Sequence, residues 1–255
     1  MKKENKMGQV AIFVIVAIAV VAVIAIIIYL FPQFNVFVSD LNPNAFLAKC
    51  IEPEVDIALE RLSNQGGVLE PDNYVMYQGN NIQYLCYTSQ LYQPCVVQQP
   101  LLKQKVETEI KNFVEPKARE CVSNLADEYE GRGFKVTTKP GELNVKIEPD
   151  NIFVEFLSPM TVQKEDTETF QQFRVSKNSE MYDLLLTATS IIQFESTLGD
   201  SSTDLYIQYY PDLKIEKLKR EGDAIYKVSN VVTGESFSFA SRSLVWPAGY
   251  GFDEI

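Results

Sequence analysis

The sequence predicts an α+β fold that consists of one N-terminal transmembrane helix, a helix–hairpin–helix unit and an antiparallel-sheet α+β unit. An unbroken apolar run of 22 residues, Val10–Phe31, opens the chain. Apolar residues then recur at helical spacing in two segments as far as Gly131. From Gly133 onward the apolar residues alternate with polar ones, which is typical of strands.

The apolar run is long enough to cross a membrane. A helix of 22 residues reaches about 33 Å, which matches the hydrocarbon core of a bilayer. A cleaved secretory signal has a shorter apolar core and small residues after it. Here the sequence Tyr29–Phe34 follows, and its aromatic residues suit a membrane boundary. We therefore expect a retained helix over residues 10–31 that contacts membrane lipid.

The basic residues predict the orientation of that helix. Three lysines precede it, namely Lys2, Lys3 and Lys6. The first basic residue after the helix is Lys49. By the positive-inside rule, residues 1–9 form a cytoplasmic stub and residues 32–255 are extracytoplasmic.

The opening also carries a resemblance. Lys6–Ile15, with the sequence KMGQVAIFVI, resembles the start of archaeal surface proteins with a prepilin-type leader. It is particularly similar to the KxGQVxIFII openings of uncharacterised single-pass proteins from small-genome archaea. The prepilin pattern implies cleavage between Gly8 and Gln9, and it has Glu at the fifth position after the cut, where this chain has Phe13. An uncleaved signal anchor and leader cleavage are both open at this point.

Four cysteines follow the predicted membrane helix. Cys50 and Cys121 fall in two helical patterns, whereas Cys86 and Cys95 bracket one loop. An even number of cysteines outside a membrane predicts two disulfides, for which three connectivities exist. The positions favour Cys50–Cys121 with Cys86–Cys95, and four buried thiols are the alternative. No CxxC motif is present, so a zinc site is not indicated.

The first extracytoplasmic unit, residues 32–131, contains two predicted helices and a hairpin. An Asn-Pro pair begins the first helix and a Gly pair ends it. Two short aromatic runs flank a Gly-Asn-Asn turn, which is typical of a β-hairpin. The predicted elements are a helix from Asn42 to Gly67, strands Tyr74–Tyr77 and Ile82–Tyr87, and a helix from Pro100 to Gly131.

The second unit, residues 132–255, is predicted to be a sheet with one helix. Pro-Gly and Pro-Asp-Asn turns separate its first strands. An Asn-Ser pair caps a helix from Asn178 to about Glu195. The predicted strands are Phe134–Thr138, Leu143–Ile147, Ile152–Leu157, Gln171–Val175, Leu205–Tyr209, Leu213–Lys219, Ala224–Ser229 and Ser236–Ala240.

The composition excludes several classes of chemistry. The chain has no histidine, so it has neither a Ser-His-Asp system nor an HExxH zinc site. Phosphate-binding glycine motifs and Ser-x-x-Lys are absent as well. The net charge of -11 disfavours nucleic acid as a partner. We therefore expect no enzyme activity and no catalytic, cofactor-binding or metal-binding residues.

Two acidic loops are the nearest approach to a metal site. Oxygen-rich loops suit Ca²⁺, but neither loop matches the twelve-residue EF-hand pattern. We interpret both as solvated charge. The residues concerned are Glu165, Asp166 and Glu168 in one loop, and Asp200 and Asp204 around the other.

Aromatic residues are the candidate partner contacts. Exposed aromatic rings provide rigid, amphipathic contact area, although strands also use them for packing. One group lies in and after the predicted hairpin, and the other lies near the C-terminus of the sequence. These candidates are Tyr77, Tyr84, Tyr87 and Tyr92, and Trp246, Tyr250 and Phe252.

Taken together, these features predict a single-pass membrane-anchored cell-surface protein. Its expected role is structural or adhesive interaction with another surface protein or a glycan through an acidic outer part. One alternative is a pilin-like filament subunit with its leader cleaved after Gly8. Another alternative is an anchored carbohydrate-active enzyme, which would need a cleft with two carboxylates about 5 to 9.5 Å apart.

Overall fold

The computed structural model divides the chain into two compact units, Met1–Asn42 and Pro43–Ile255. The residues it describes are 16, 18–22, 41–139 and 141–245. In the first unit, residues 16 and 18–22 are helical, and the rest of the predicted span Val10–Phe31 lies outside the described residues. The predicted cleavage position between Gly8 and Gln9 lies outside them too. Among the described residues, no helix is both long enough and apolar enough to cross a membrane.

The second unit is an α+β fold, as predicted, with helices and mainly antiparallel sheets. Its described helices are α1 (Pro43–Asn64), α2 (Leu102–Gly131), α3 (Met181–Leu198) and α4 (Asp204–Tyr209). Its described strands are β1 (Tyr74–Tyr77), β2 (Asn80–Tyr87), β3 (Val96–Val97), β4 (Lys135–Thr138), β5 (Glu142–Glu148), β6 (Asn151–Leu157), β7 (Met160–Gln163), β8 (Thr167–Phe170), β9 (Phe173–Asn178), β10 (Leu213–Arg220), β11 (Asp223–Asn230) and β12 (Ser236–Arg242).

The strands form three sheets. The largest has the order β1-β2-β12-β11-β10, with β3 also paired to β2. Only the β12–β2 pair of that sheet is parallel. The two other sheets are antiparallel and have the orders β4-β7-β8 and β5-β6-β9. Because β2 lies beside β12, residues from both predicted units, 32–131 and 132–255, meet in one sheet.

Helices α1 and α2 pack against each other and are joined by a disulfide. Their buried residues recur at helical spacing, for example Leu47, Ile51 and Val55 in α1. Cys50 of α1 is bonded to Cys121 of α2, with the two Cα atoms 5.9 Å apart. The second disulfide joins Cys86 to Cys95. The structure therefore confirms the predicted pairing.

The core of the largest sheet lies beneath α3, which packs on β11 and β12. Tyr226, Phe237 and Phe239 from these strands are fully buried. The rings of Tyr226 and Phe239 are stacked with their centroids 5.1 Å apart. Residues Leu184, Ala188 and Ile191 on the inner face of α3 complete this core.

Three parts of the prediction differ from the structure. The predicted strand Leu205–Tyr209 is wrong, because these residues form helix α4. The predicted strand Gln171–Val175 is displaced to β9, Phe173–Asn178. Strands β3, β7 and β8 were not predicted, because they have only two to four residues.

Candidate functional site

A disulfide closes the connection between β2 and β3, and we call residues 88–94 within it the Tyr92 loop. Cys86 and Cys95 are both buried, and their Cα atoms are 5.3 Å apart. By contrast, Leu91 and Tyr92 of the loop are 65% and 67% exposed. The loop is therefore fixed in the core at both ends and presents two large apolar side chains to solvent.

Hydrogen bonds tie the Tyr92 loop to the chain that follows β12. The N–H of Tyr92 donates to the carbonyl of Leu244 at 2.6 Å, and the N–H of Leu244 donates to the carbonyl of Gln93 at 3.2 Å. The N–H of Cys95 donates to Ser243 Oγ at 2.9 Å. Tyr92 has a φ of 62°, a left-handed conformation that is uncommon for an aromatic residue. These bonds hold that conformation in place.

Of the other predicted tyrosines of this region, one is a core residue and two pack against the core. Tyr84 is only 6% exposed, and Tyr77 and Tyr87 are partly buried against the cluster that contains it. Burial and a hydrogen bond with Asp223 raise the pKa of Tyr84. Tyr84 is therefore not available to a partner, which corrects the prediction. The remaining predicted contacts lie outside the described part of the chain: Trp246, Tyr250 and Phe252.

A second apolar surface lies on α3 and α4, and the sequence pattern did not lead us to predict it. We call it the α3–α4 surface, and its exposed large hydrophobic residues are Leu186, Phe194, Leu198, Leu205, Ile207 and Tyr209, together with Tyr210 directly after α4. The only acidic or basic residues in the two helices are Asp183, Glu195 and Asp204, and Glu195 is buried. The signal in the sequence was this absence of charge along an amphipathic helix.

Helix α2 shows what a solvated helix face looks like in the same protein. Five ion pairs run along it, namely Lys103–Glu107, Lys105–Glu109, Lys117–Glu120, Arg119–Glu115 and Arg132–Glu128. Beyond Asp183 in its first turn, the exposed side chains of α3 are uncharged polar or apolar ones. Ser190 of α3 shares a hydrogen bond of 2.7 Å with the hydroxyl of Tyr206, which joins α3 to α4. The α3–α4 surface therefore has the composition of a contact surface rather than of a solvated face.

The inner face of α3 carries one buried carboxylate, Glu195, which is 2% exposed. It accepts hydrogen bonds from the hydroxyl of Tyr226 and, at 3.1 Å, from Ser241 Oγ. Lys217 Nζ lies 3.7 Å from its Oε1 and also contacts Asp200. Burial raises the pKa of Glu195, although the bond from Tyr226 and the charge of Lys217 act in the opposite direction. These contacts connect α3 to the sheet, and the buried carboxylate of Glu195 is not accessible to a substrate.

Of the two acidic loops, the one that begins at Asp200 is linked to that group through Lys217. Glu165 and Asp166 fall in the β7–β8 turn, and Glu168 lies in β8. Burial raises the pKa of Asp200, but hydrogen bonds from Lys217 and Lys219 outweigh it and the net pKa is lowered. Within the described residues, no three side chains of the types that bind metals are grouped to hold an ion.

The described part of Pro43–Ile255 therefore defines a disulfide-linked α+β unit with two exposed apolar surfaces. Comparison with known protein families, with curated proteins and with solved structures finds no match to the chain. The assignment of function thus depends on the residues of these surfaces.

Proposed function

We propose that the chain is a single-pass membrane-anchored cell-surface protein that binds another surface protein or a glycan without catalysing a reaction. The Tyr92 loop is the observation that carries this proposal. Leu91 and Tyr92 are large, exposed and held on a backbone that a disulfide and several hydrogen bonds constrain. Aromatic side chains presented in this way lose little entropy on binding, so they serve as anchors in interfaces.

The anchoring part of the proposal has independent support. Residues 10–31 have the length and apolar character of a transmembrane helix, and three lysines precede them. The two disulfides fit an oxidising compartment, which agrees with an extracytoplasmic Pro43–Ile255. Protease added to intact cells is expected to digest residues 32–255. Protection of that part in sealed cells contradicts the orientation.

Binding through the Tyr92 loop is tested with two substitutions of matched exposure. In Tyr92→Asn the aromatic ring is removed, and asparagine tolerates the positive φ of this position. The control is Val232→Asn, because Val232 is 74% exposed in the β11–β12 turn. Binding of the purified full-length chain to envelopes of its own cells is measured for both variants and for the wild type.

We expect Tyr92→Asn to weaken envelope binding about 30-fold, since the loss of an interface anchor costs about 2 kcal/mol. Val232→Asn is expected to bind like the wild type. Equal binding by all three proteins refutes the Tyr92 loop as the contact.

Intact mass of the chain isolated from its own membrane distinguishes the two forms of the anchor, because it shows directly whether the leader is cleaved after Gly8.

A further inference from the structure

We infer that residues 246–252 of this chain, called the terminal segment, dock on the α3–α4 surface of the same molecule. The surface carries large exposed apolar side chains among uncharged polar ones. The only exposed charged residues of α3 and α4 are Asp183 and Asp204, which lie in the first turns of these helices. A solvent-facing helix normally carries charge, as α2 does. The inference goes beyond the proposed function, since that function depends on the Tyr92 loop and this one concerns a different surface.

The described chain reaches residue 245 at the edge of that surface. Ser243 Oγ donates to the carbonyl of Glu195 in the last turn of α3 at 3.2 Å. Two residues later, Val245 packs on Gly199, the left-handed residue that ends α3. The contact is so close that a Cβ atom on Gly199 would lie 2.0 Å from Val245 Cγ2. The last described residue before the terminal segment therefore lies at the C-terminal end of α3, where the neighbouring Leu198 is 62% exposed.

The chemistry and length of the terminal segment match the surface. Its sequence, Trp-Pro-Ala-Gly-Tyr-Gly-Phe, contains three aromatic residues and no charged one. Seven extended residues reach about 23 Å. The distance from Leu198 back to Leu186 along α3 is about 18 Å at the rise of an α-helix. The terminal segment is thus long enough to cover the apolar residues of α3 in the same molecule.

Trp246 provides a direct probe, because it is the only tryptophan in the chain. Its fluorescence emission and its quenching by acrylamide are measured in the full-length chain, reconstituted in lipid nanodiscs so that no detergent competes for the surface. We expect a blue-shifted emission and weak quenching in the wild type. Leu198→Gln and Phe194→Gln should each shift the emission to the red and raise the quenching constant several-fold.

Three controls make the result specific. Leu218→Gln changes a residue of β10 that is 42% exposed, and it should leave Trp246 protected. Leu205→Gln tests the α4 side of the surface separately, so that the test does not depend on one variant. Circular dichroism establishes that each variant keeps the fold, which is expected because all four residues are exposed.

Four results overturn the inference. Strong quenching in the wild type means that the terminal segment is in solvent. Protection that survives Leu198→Gln, Phe194→Gln and Leu205→Gln means that Trp246 is buried elsewhere. Protection that is lost on dilution means that the segment binds a second copy. Quenching by brominated lipid means that the membrane covers Trp246. Because none of these measurements involves Tyr92, they leave the proposed function to its own test.

Discussion

The two disulfides should contribute unequally to stability, and the difference can be worked out from the loops that they close. Cys50 and Cys121 are separated by 71 residues in sequence, and Cys86 and Cys95 by 9. In the chain-entropy model, closing these loops stabilises the folded state by about 4.4 and 2.6 kcal/mol. Removing the long-range bond should therefore cost roughly 1.8 kcal/mol more than removing the short-range one.

The double variants Cys50→Ala/Cys121→Ala and Cys86→Ala/Cys95→Ala provide the comparison. The free energy of unfolding is measured for the full-length chain by urea denaturation followed by circular dichroism. For a unit of about 200 residues, each kcal/mol corresponds to about 2 to 4 °C in Tm. The variant without the α1–α2 bond should thus melt about 9 to 18 °C below the wild type.

Reduction of the wild type with dithiothreitol separates the loss of the bond from the loss of side-chain volume. The reduced protein keeps all four sulfur atoms, so it reports the crosslinks without new cavities. If the short-range variant loses as much free energy as the long-range one, the entropy of loop closure does not determine the difference between the two bonds. In that case strain or packing around the buried Cys86 and Cys95 decides the stability.

Three further predictions concern Glu195 and Gly199. Glu195→Ala leaves the buried hydroxyls of Tyr226 and Ser241 without their acceptor and should cost about 1 to 3 kcal/mol for each of them in unfolding experiments. Burial raises the pKa of Glu195 in the folded protein above its unfolded value of 4.5. The contribution of Glu195 to the free energy of unfolding is therefore full below pH 4.5 and is lost as the pH rises through the folded pKa. Glu195→Gln should remove this pH dependence of stability. An unchanged pH profile of stability contradicts this. Gly199→Ala should destabilise the protein more than Gly79→Ala in the same unfolding experiments. The two glycines have similar φ values of 80° and 85°. Of the two, however, only Gly199 has a neighbouring side chain within 4 Å of the position that a Cβ atom would take.

Most of the secondary structure could be predicted from the spacing of apolar residues. The long helices and the strands of seven or eight residues repeat their pattern often enough to be recognised. Leu205–Tyr209 could not be assigned in this way, because alternating Leu, Ile and Tyr favour a strand by intrinsic propensity. There the hydrogen bond between Tyr206 and Ser190, which are distant in sequence, favours the helix.

The candidate surfaces were harder to predict than the fold. Tyr84 and Tyr92 are both tyrosines in or near a hairpin, and Tyr84 is buried in a cluster with Ala240 of β12 and Ile225 of β11, which are distant in sequence. Glu195 has the phase of the buried residues Leu184, Ala188 and Ile191, so its burial was visible in the helical period. Its partners Tyr226 and Lys217 were not, because they come from strands that follow α3 in sequence.

The two exposed surfaces are connected through residues 243–245, and this connection leads to a last prediction. The carbonyl of Leu244 accepts a hydrogen bond from the N–H of Tyr92, and the next residue, Val245, packs on Gly199 at the end of α3. A terminal segment docked on the α3–α4 surface would hold residues 243–245 at both ends and thereby hold the Tyr92 loop. Leu198→Gln should release the segment and speed hydrogen exchange at the amides of Tyr92 and Leu244.

The amide of Val228 serves as the internal control for that experiment, because it lies in β11, which is paired on both sides, and should exchange at the wild-type rate. Coupling requires that exchange at Tyr92 rises together with the quenching of Trp246 across the α3–α4 variants. If Trp246 is released while the Tyr92 amide stays protected, the hydrogen bond to Leu244 alone is sufficient to hold the Tyr92 loop. The two surfaces then act independently. If both respond, occupancy of the α3–α4 surface controls the rigidity of the loop that we propose as the partner contact.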